Sequence, residues 1–319
     1  MLRKLPETIY EHSSFPLHSI WLKTGKQFYK SQRGVVAYEN SKRAHVVAGD
    51  PLCKTQDDNE KQLLFDEFVD WSHAQGKIVC GYYFSEEFAN NTKNFSKYKV
   101  GVSRFLDLST YRESGFKSRD IRRALNQGFK SQLEFKEISH SIKLEWLAQL
   151  KKLEQQWIKT KRGPRIFFLL DEISTDFPGA EKERWFLVKT NNQIHAFLSI
   201  LPYNSHQGKA YYVDHLIQFE QKQRWALDYL IARMLRLLKV EGVQELAMGL
   251  AAFQKVEGHS PLNIAFKINQ KLEPLYKTNG LYAYKKKFTG REENRYLLLD
   301  NSCLNLRQLL ALISVTYHS

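Results

Sequence analysis

The chain is poor in the residues that staple or metallate small folds. Only three cysteines occur in 319 residues. Cys53, Cys80 and Cys303 are widely spaced and odd in number, so neither a disulfide framework nor a zinc knuckle is encoded. Ten histidines are scattered without a His-x-x-x-His pair, and no Cys-x-x-Cys occurs, so the expected chemistry uses no metal. Long apolar runs are missing as well. No stretch approaches the ~18 uncharged apolar residues of a membrane span, and the opening Met1-Leu-Arg-Lys-Leu-Pro-Glu7 lacks the apolar core of a signal peptide. A soluble, cytoplasmic protein is expected.

Acid is in deficit too: 34 Asp and Glu stand against 48 Lys and Arg, a formal net charge of +14. That excess favours nucleic acid, an anionic membrane surface or phosphorylated ligands. Hydrophobic residues reach 43%, enough for proper cores, and no low-complexity tract argues for disorder. The length suits two domains of ordinary size.

Periodicity gives the element order. Gly34–Tyr38 and Ala44–Ala48 read as strands across a turn at Asn40-Ser41. Glu60–Gln75 carries the apolar stripe of a buried helix, with Asp57 or Asp58 as its cap. Strands follow at Lys77–Phe84 and Val100–Leu106, then a basic helix at Phe116–Lys130 and a strand at Ser131–Glu137. A helix from Ile142 to Trp157 leads into the basic loop Ile158–Arg165, broken by Gly163 and Pro164. Arg184–Lys189 and Ile194–Leu201 form a hairpin over Asn191-Asn192. Lys209–Ile217 is the next strand, Ala226–Val240 a helix and Glu245–Gly249 a strand. Ala283–Phe288 and Arg295–Leu299 read as the last strands, and Leu304–Val315 as a short apolar tail helix. The strand–strand–helix–strand order recurs in both halves, placing a division at 1–137 and 138–319.

The run Tyr211–Gly249 resembles the core of the N-acetyltransferase-like (GNAT) fold, which holds the pyrophosphate of acyl-CoA on a glycine-rich loop before the helix. Here that loop reads Gln221-Lys-Gln-Arg224-Trp225-Ala226, with Arg and Trp where glycine would admit phosphate. The resemblance implies an α/β (α+β) protein of tandem GNAT-like domains, with mixed, mostly antiparallel sheets flanked by helices.

Further runs, in order, resemble the C-terminal catalytic domain of the phosphatidylglycerol lysyltransferases. Gly49-Asp-Pro51, Arg122-Arg-Ala-Leu-Asn126, Trp157 with Lys161-Arg162-Gly163, Leu201-Pro202, Asp214, Asp228 with Leu230, Gly249 with Ala251, and Tyr284-Lys-Lys-Lys-Phe288 with Glu293, Arg295 and Tyr296 carry the likeness. It implies transfer of an amino acid from aminoacyl-tRNA to a lipid hydroxyl such as that of phosphatidylglycerol, in a soluble form without the family's flippase. Aminoacyl-tRNA would be co-substrate, no cofactor would be needed, and the partners would be tRNA and an anionic lipid surface at the inner membrane face. Ile217, Arg224-Trp225 and Ala247 depart from the family's pattern close to the presumed site. Two alternatives stay open: a CoA-dependent N-acyltransferase with an atypical pyrophosphate loop, and a catalytically inactive GNAT-like binding module.

Within that frame Asp214, on an apolar strand, should meet a cation or a substrate amine, because a lone buried carboxylate is costly; as a catalytic residue it would bind the α-amino group of the incoming amino acid or help deprotonate the acceptor. An ion pair with Arg224 or Lys222 is the structural alternative. On a strand, Lys285 and Lys287 would share one face, one stabilising the oxyanion and the other a tRNA phosphate. His215 would face away from Asp214 as a packed histidine, Asp50 would serve a turn, and Asp228 would answer the helix dipole. Tyr212, Arg224, Trp225 and Arg295 are candidates for substrate contact. Arg122, Arg123, Lys159, Lys161, Arg162 and Arg165 are candidates for tRNA, with Trp225 a better stacking platform than Trp157.

Overall fold

The computed structural model describes residues 5–55, 57–115, 118–160, 172–219, 223–252, 254–256, 278–300 and Gln308. Lys161, Arg162, Arg165, Lys222, Cys303 and the tail at 304–315, apart from Gln308, lie outside these residues. The chain opens with helix α1 (Leu5–His12) and a 3₁₀ turn at Pro16–Ile20. Strands β1 (Gln27–Lys30), β2 (Gly34–Asn40), β3 (Ala44–Ala48) and β4 (Leu52–Cys53) follow. Helix α2 (Asp58–Ala74) starts at Asp57, whose carboxylate accepts from Asn59 N at 2.9 Å as an N-cap. It buries Leu64, Phe65 and Phe68 against the sheet. Strand β5 (Ile78–Ser85), the short helix α3 (Glu86–Asn91) and the long strand β6 (Ser96–Asp107) complete this half.

The second half runs α4 (Arg119–Lys130), β7 (Glu134–Ile138), α5 (Lys143–Lys159), β8 (Arg184–Thr190), β9 (Gln193–Ser205) and β10 (Gly208–Gln218). Helix α6 (Ala226–Val240), strand β11 (Glu245–Ala252), helix α7 (Thr278–Lys286) and strand β12 (Arg291–Leu299) follow. Asn191 turns the β8–β9 hairpin with φ of 52°, a left-handed conformation that asparagine tolerates. Among the described residues, no helix is long and apolar enough to cross a membrane.

The strands join in one twelve-stranded sheet in the order β1-β2-β3-β5-β12-β6-β11-β10-β9-β8-β7, with β4 beside β2. Two pairs are parallel, β3 with β5 and β10 with β11, each connected through a helix, α2 or α6. The remaining pairs are antiparallel, so the sheet is mixed and mostly antiparallel with helices on both faces, as expected. Strand β12 sits between β5 and β6, and β6 passes the hydrogen-bonded lattice on to β11. Helix α4 and all but the last residue of β7 precede residue 138, yet α4 packs on α6 and β7 pairs with β8. Alternate residues of β8 separate two cores. Phe186 and Val188 face α4 and α6, while Trp185 and Leu187 face α5.

One expected strand is a helix. Ala283–Phe288 was to be extended, but the structure continues α7 through Lys286 and turns once more to Phe288. The alternation of Tyr284-Lys-Lys-Lys-Phe288 hides an i, i+4 pair. Tyr284 and Phe288 stack edge to face, centroids 6.0 Å apart, in the core beneath α6.

The segment after α1 ties the two halves together. Trp21 Nε1 donates to Ala48 O at 2.9 Å and His18 Nε2 lies 2.9 Å from Asp50 O, both in the first half. Ser19 Oγ donates to Pro202 O at 2.8 Å, and Asn204 N donates to Ser13 O at 2.7 Å, both in the second half. Lys23 completes the clamp. Its ammonium reaches Glu183 Oε1 at 2.8 Å and Asp214 Oδ2 at 2.6 Å, and all three side chains are buried.

Two substitutions test this architecture. A Cβ at Gly128 of α4 would stand 2.2 Å from the Tyr229 ring of α6, so Gly128→Ala should cost about 1–3 kcal/mol by overpacking, read from urea unfolding. Lys23→Met strands two buried carboxylates and should cost about 3–5 kcal/mol. An unchanged urea midpoint would show that the clamp does not depend on this triad.

Candidate functional site

The parallel pair β10–β11 is bonded only from Ala210↔Glu245 to Tyr212↔Ala247, although both strands run on past these residues. Beyond that point the two strands separate. The separation lies on a line of irregularities through the middle of the sheet. One extra residue is inserted in β5 at Tyr83, in β6 at Val100, in β11 at Met248-Gly249 and in β10 at Asp214-His215. Bulges of this kind re-aim side chains and end strand pairing. Tyr83 carries the strain in its backbone: φ is 76° for a buried, non-glycine residue.

The bulge in β10 corrects one expectation. His215 does not point away from Asp214, because the inserted residue interrupts the alternation. Its Nδ1 lies 3.0 Å from Asp214 Oδ2 and 3.0 Å from Ser199 Oγ, with Glu154 Oε1 at 3.8 Å from Nε2. The partner of Asp214 is Lys23, 191 residues away in sequence, rather than Arg224 or Lys222. Burial pushes the Asp214 carboxyl up, but Lys23 and His215 outweigh it and hold the group well below its ordinary range. Burial likewise works against the Lys23 ammonium, and Asp214 and Glu183 override it, leaving Lys23 firmly protonated. Glu183 Oε2 accepts from Trp185 Nε1 at 2.8 Å. Asp214 Oδ1 has no bond among the described residues. Glu183, Asp214 and His215 have ligand atoms within 4.8 Å of one another, a spacing that could hold a metal ion. Lys23 already supplies the cation there.

Lys285 and Lys287 do not share a face. On α7 they diverge: Lys287 Nζ meets Asp228 Oδ2 at 3.0 Å, whereas Lys285 is buried and, among the described residues, donates to Leu250 O at 2.9 Å. With no carboxylate paired to it among the described residues, burial draws the Lys285 ammonium down to about 7. Arg104 holds this end of α7, its Nε donating to Phe288 O at 2.8 Å. Tyr212 approaches the same stretch of β11 from the other side of the sheet. Its hydroxyl lies 3.2 Å from where a Cβ on Gly249 would stand, and Gly249 has φ of 73°, so glycine is required twice over. Burial raises the Tyr212 phenol well above its ordinary value, which keeps it a donor.

Arg295 is wholly buried between the rings of Phe15, Tyr83 and Phe105, 5.2–5.4 Å away. It donates to Glu293 Oε2 and to Asn294 O, both at 2.9 Å. Asp50 is buried, and its Oδ1 accepts from Ser85 N at the end of β5 at 2.8 Å, a bond between elements rather than within a turn. Arg224 is exposed and Trp225 half-buried at the entry to α6. Arg122 is committed to loop carbonyls, Glu113 O and Gly115 O, at 2.7 Å each. Arg123 and Lys159 are exposed but stand on opposite faces of the sheet, with α4 and α5 respectively. Trp157 packs beside the α5 core. Sequence reasoning missed Lys23, Glu183 and Tyr83. Neither Lys23 nor Glu183 sits in a motif, and the contact joining them spans 160 residues.

A family model described as "Phosphatidylglycerol lysyltransferase, C-terminal" matches residues 7–299. The phosphatidylglycerol lysyltransferase of Staphylococcus haemolyticus is 22% identical over 296 residues, covering 91% of this chain and 34% of that protein. The chain therefore spans about a third of the length of the curated relatives it matches. Two solved structures share the fold. A domain described as the C-terminal domain of a lysylphosphatidylglycerol synthetase of Agrobacterium fabrum superposes with a TM-score of 0.79 at 19% identity, over 99% of this chain and 97% of that one. The Bacillus licheniformis protein L-PGS gives 0.78 at 20% identity, over 98% and 96%. With a single family model covering nearly all of its length, the chain belongs to the phosphatidylglycerol lysyltransferase C-terminal family.

Proposed function

We propose that this chain is an aminoacyltransferase that moves an amino acid from aminoacyl-tRNA to a hydroxyl of a phosphatidylglycerol-like lipid. The observation that carries the proposal is Lys285: a buried amine bonded to one carbonyl, beside the opening between β10 and β11, with its proton affinity drawn down to about 7. An amine that gains and loses its proton near neutrality suits proton transfer. An aminoacyl ester is already activated, so the reaction needs neither a metal nor a covalent nucleophile. Family membership and the names of the relatives support aminoacyl transfer to phosphatidylglycerol.

In this reaction the lipid hydroxyl attacks the ester carbonyl and forms a new C–O bond. Neutral Lys285 takes the hydroxyl proton. The bond to the tRNA ribose oxygen then breaks, and Lys285 returns the proton to that oxygen. Asp214 Oδ1, left open by the Lys23 pairing, receives the α-ammonium of the amino acid. The net charge of +14 favours a polyanionic donor such as tRNA.

The CoA alternative is disfavoured by the entry to α6. A helix that cradles pyrophosphate needs open N–H groups and no acid, whereas this one has Trp225 at its N-cap and Asp228 in its first turn.

The test mixes the protein with labelled aminoacyl-tRNA and phosphatidylglycerol vesicles and counts label in the organic phase. RNase-sensitive label in lipid is expected, and none would sink the proposal. The rate should rise with pH through about 7 and then level off, because the neutral amine is the active form. Lys285→Met should lower the rate by about 10²–10⁴-fold. The same variant should be more stable at pH 7. The folded-state pKa is depressed, so burying this lysine costs most below about 7, and the cost fades as pH rises towards 10.5. An active Lys285→Met variant would remove Lys285 from the mechanism.

A further inference from the structure

Helix α6 is buried from Ala226 to Ala232, and large apolar side chains are left in water around that end. On one side, the last turn of α4 leaves Phe129 59% exposed, its ring edge-on to Tyr229 with centroids 6.0 Å apart. On the other, Lys287 ties α7 to the same end by donating to Asp228 at 3.0 Å, and Leu281, one turn before Tyr284, is 42% exposed. Trp225 is half-buried at the helix entry, one turn before Tyr229, whose N–H donates to its carbonyl at 2.8 Å. An exposed apolar side chain standing singly is ordinary. Several around one helix end, rimmed by charge, mark an interaction surface.

The charge around these side chains has one sign. Lys130 follows Phe129, Arg224 precedes Trp225, and Lys286 lies in the last turn of α7, all exposed. Helices α4, α6 and α7 contain only two acids. Asp228 is buried against Lys287. Asp120 lies at the other end of α4, about 13 Å from Phe129 along the helix, with Arg123 at 4.0 Å. Glu134, on the neighbouring strand β7, is 3.0 Å from Lys189. The surface therefore complements an anionic partner. Cations alone suit RNA and lipid equally. Leu281 decides between them, because it has no ring to stack on a base. With Phe129 it can enter the acyl boundary of a bilayer while the lysines stay at headgroup level.

We infer that this surface docks the protein on an anionic lipid bilayer, with Phe129 and Leu281 at the acyl boundary and Lys130, Arg224 and Lys286 among the headgroups. Docked so, α7 lies at the membrane. Lys285 belongs to that helix and is bonded to Leu250 of β11, beyond the point where β10 has parted from it. An acceptor lipid then approaches Lys285 without leaving the bilayer. The inference deepens the proposed transfer by naming the surface that meets its second substrate, and it rests on that reading for its purpose.

The test is sedimentation of the full chain, without tRNA, with vesicles of phosphatidylcholine alone or mixed with phosphatidylglycerol. Binding to the mixed vesicles only, weakening as salt rises, is expected. Lys130→Ala combined with Lys286→Ala should weaken it about 25-fold, since each cation at an anionic surface contributes about fivefold. Phe129→Ser should weaken it about tenfold. Leu144→Ser, at a residue 71% exposed on α5 and the other face of the sheet, should leave it unchanged. Both lysines are exposed, so their variant tests the surface even where Phe129→Ser loosens α4. Equal binding to the two vesicle types, or a loss in Leu144→Ser as large as in Phe129→Ser, would overturn the inference. Displacement from vesicles by uncharged tRNA, with tRNA affinity lowered in Phe129→Ser, would assign the surface to RNA and overturn it as well. Transfer to dispersed short-chain phosphatidylglycerol should survive Phe129→Ser, and transfer to vesicles should fall. Vesicle binding with transfer to neither form sinks the proposed reaction and keeps the surface, whereas vesicle transfer undiminished by Phe129→Ser does the reverse.

Discussion

A buried charge cannot be left alone, and in this protein one ammonium meets that requirement for two carboxylates at once. Lys23 comes from the N-terminal segment, Glu183 from the approach to β8 and Asp214 from the bulge in β10. Removing Lys23 leaves two buried carboxylates without their cation in a medium that solvates them poorly. The triad therefore fixes more than its own geometry. It holds the segment that carries His18, Ser19 and Trp21 across both halves, and it orients Asp214 so that only Oδ1 remains open. Lys143 reinforces the same corner, donating to the carbonyls of Ala180 at 2.8 Å and Glu183 at 2.5 Å.

A regular sheet would bring none of these groups together. In an unbroken β10, Asp214 and His215 would face opposite sides, and β11 would stay bonded to β10 along its whole length. The extra residues break that lattice on four strands. The consequence is local: side chains converge where the two halves meet, and a parallel pair opens. The strained backbone of Tyr83 belongs to the same line, as does Gly249, which alone among residues fits both the left-handed turn and the neighbouring Tyr212 hydroxyl. The bulges place the functional groups, while the regular strands around them supply rigidity.

This explains which features were legible in the sequence. Strand alternation, helical stripes, the Asp57 cap and the Asn191 turn are local signals, and the elements they mark are where the pattern put them. The ordered motifs also carried the family. Bulges leave no local signature, so the shared face of Asp214 and His215 was not readable. Nor was the pairing of Asp214 with Lys23, because loop-borne charges choose partners by tertiary position rather than spacing. Lys285 and Lys287 were misplaced for a different reason. A five-residue run with aromatics at both ends fits a strand period and a helical i, i+4 pair equally well, and only packing beneath α6 decides between them.

Three buried lysines show how environment alone assigns their roles. Lys23 faces two carboxylates, which overcome the cost of burial and make it a permanent cation. Lys143 is bonded to two carbonyls with Glu183 close by, and burial still lowers it. Lys285 is bonded, among the described residues, to one carbonyl and to no carboxylate, and falls to about 7. Neutral carbonyls satisfy an amine's hydrogen bonds without stabilising its charge as an anion does. Side chains of one type held in environments that push their proton affinities apart can be sorted into structural and proton-moving groups. By that criterion Lys23 is a fixed structural charge, and Lys285 is the group suited to carry the proton in the proposed transfer.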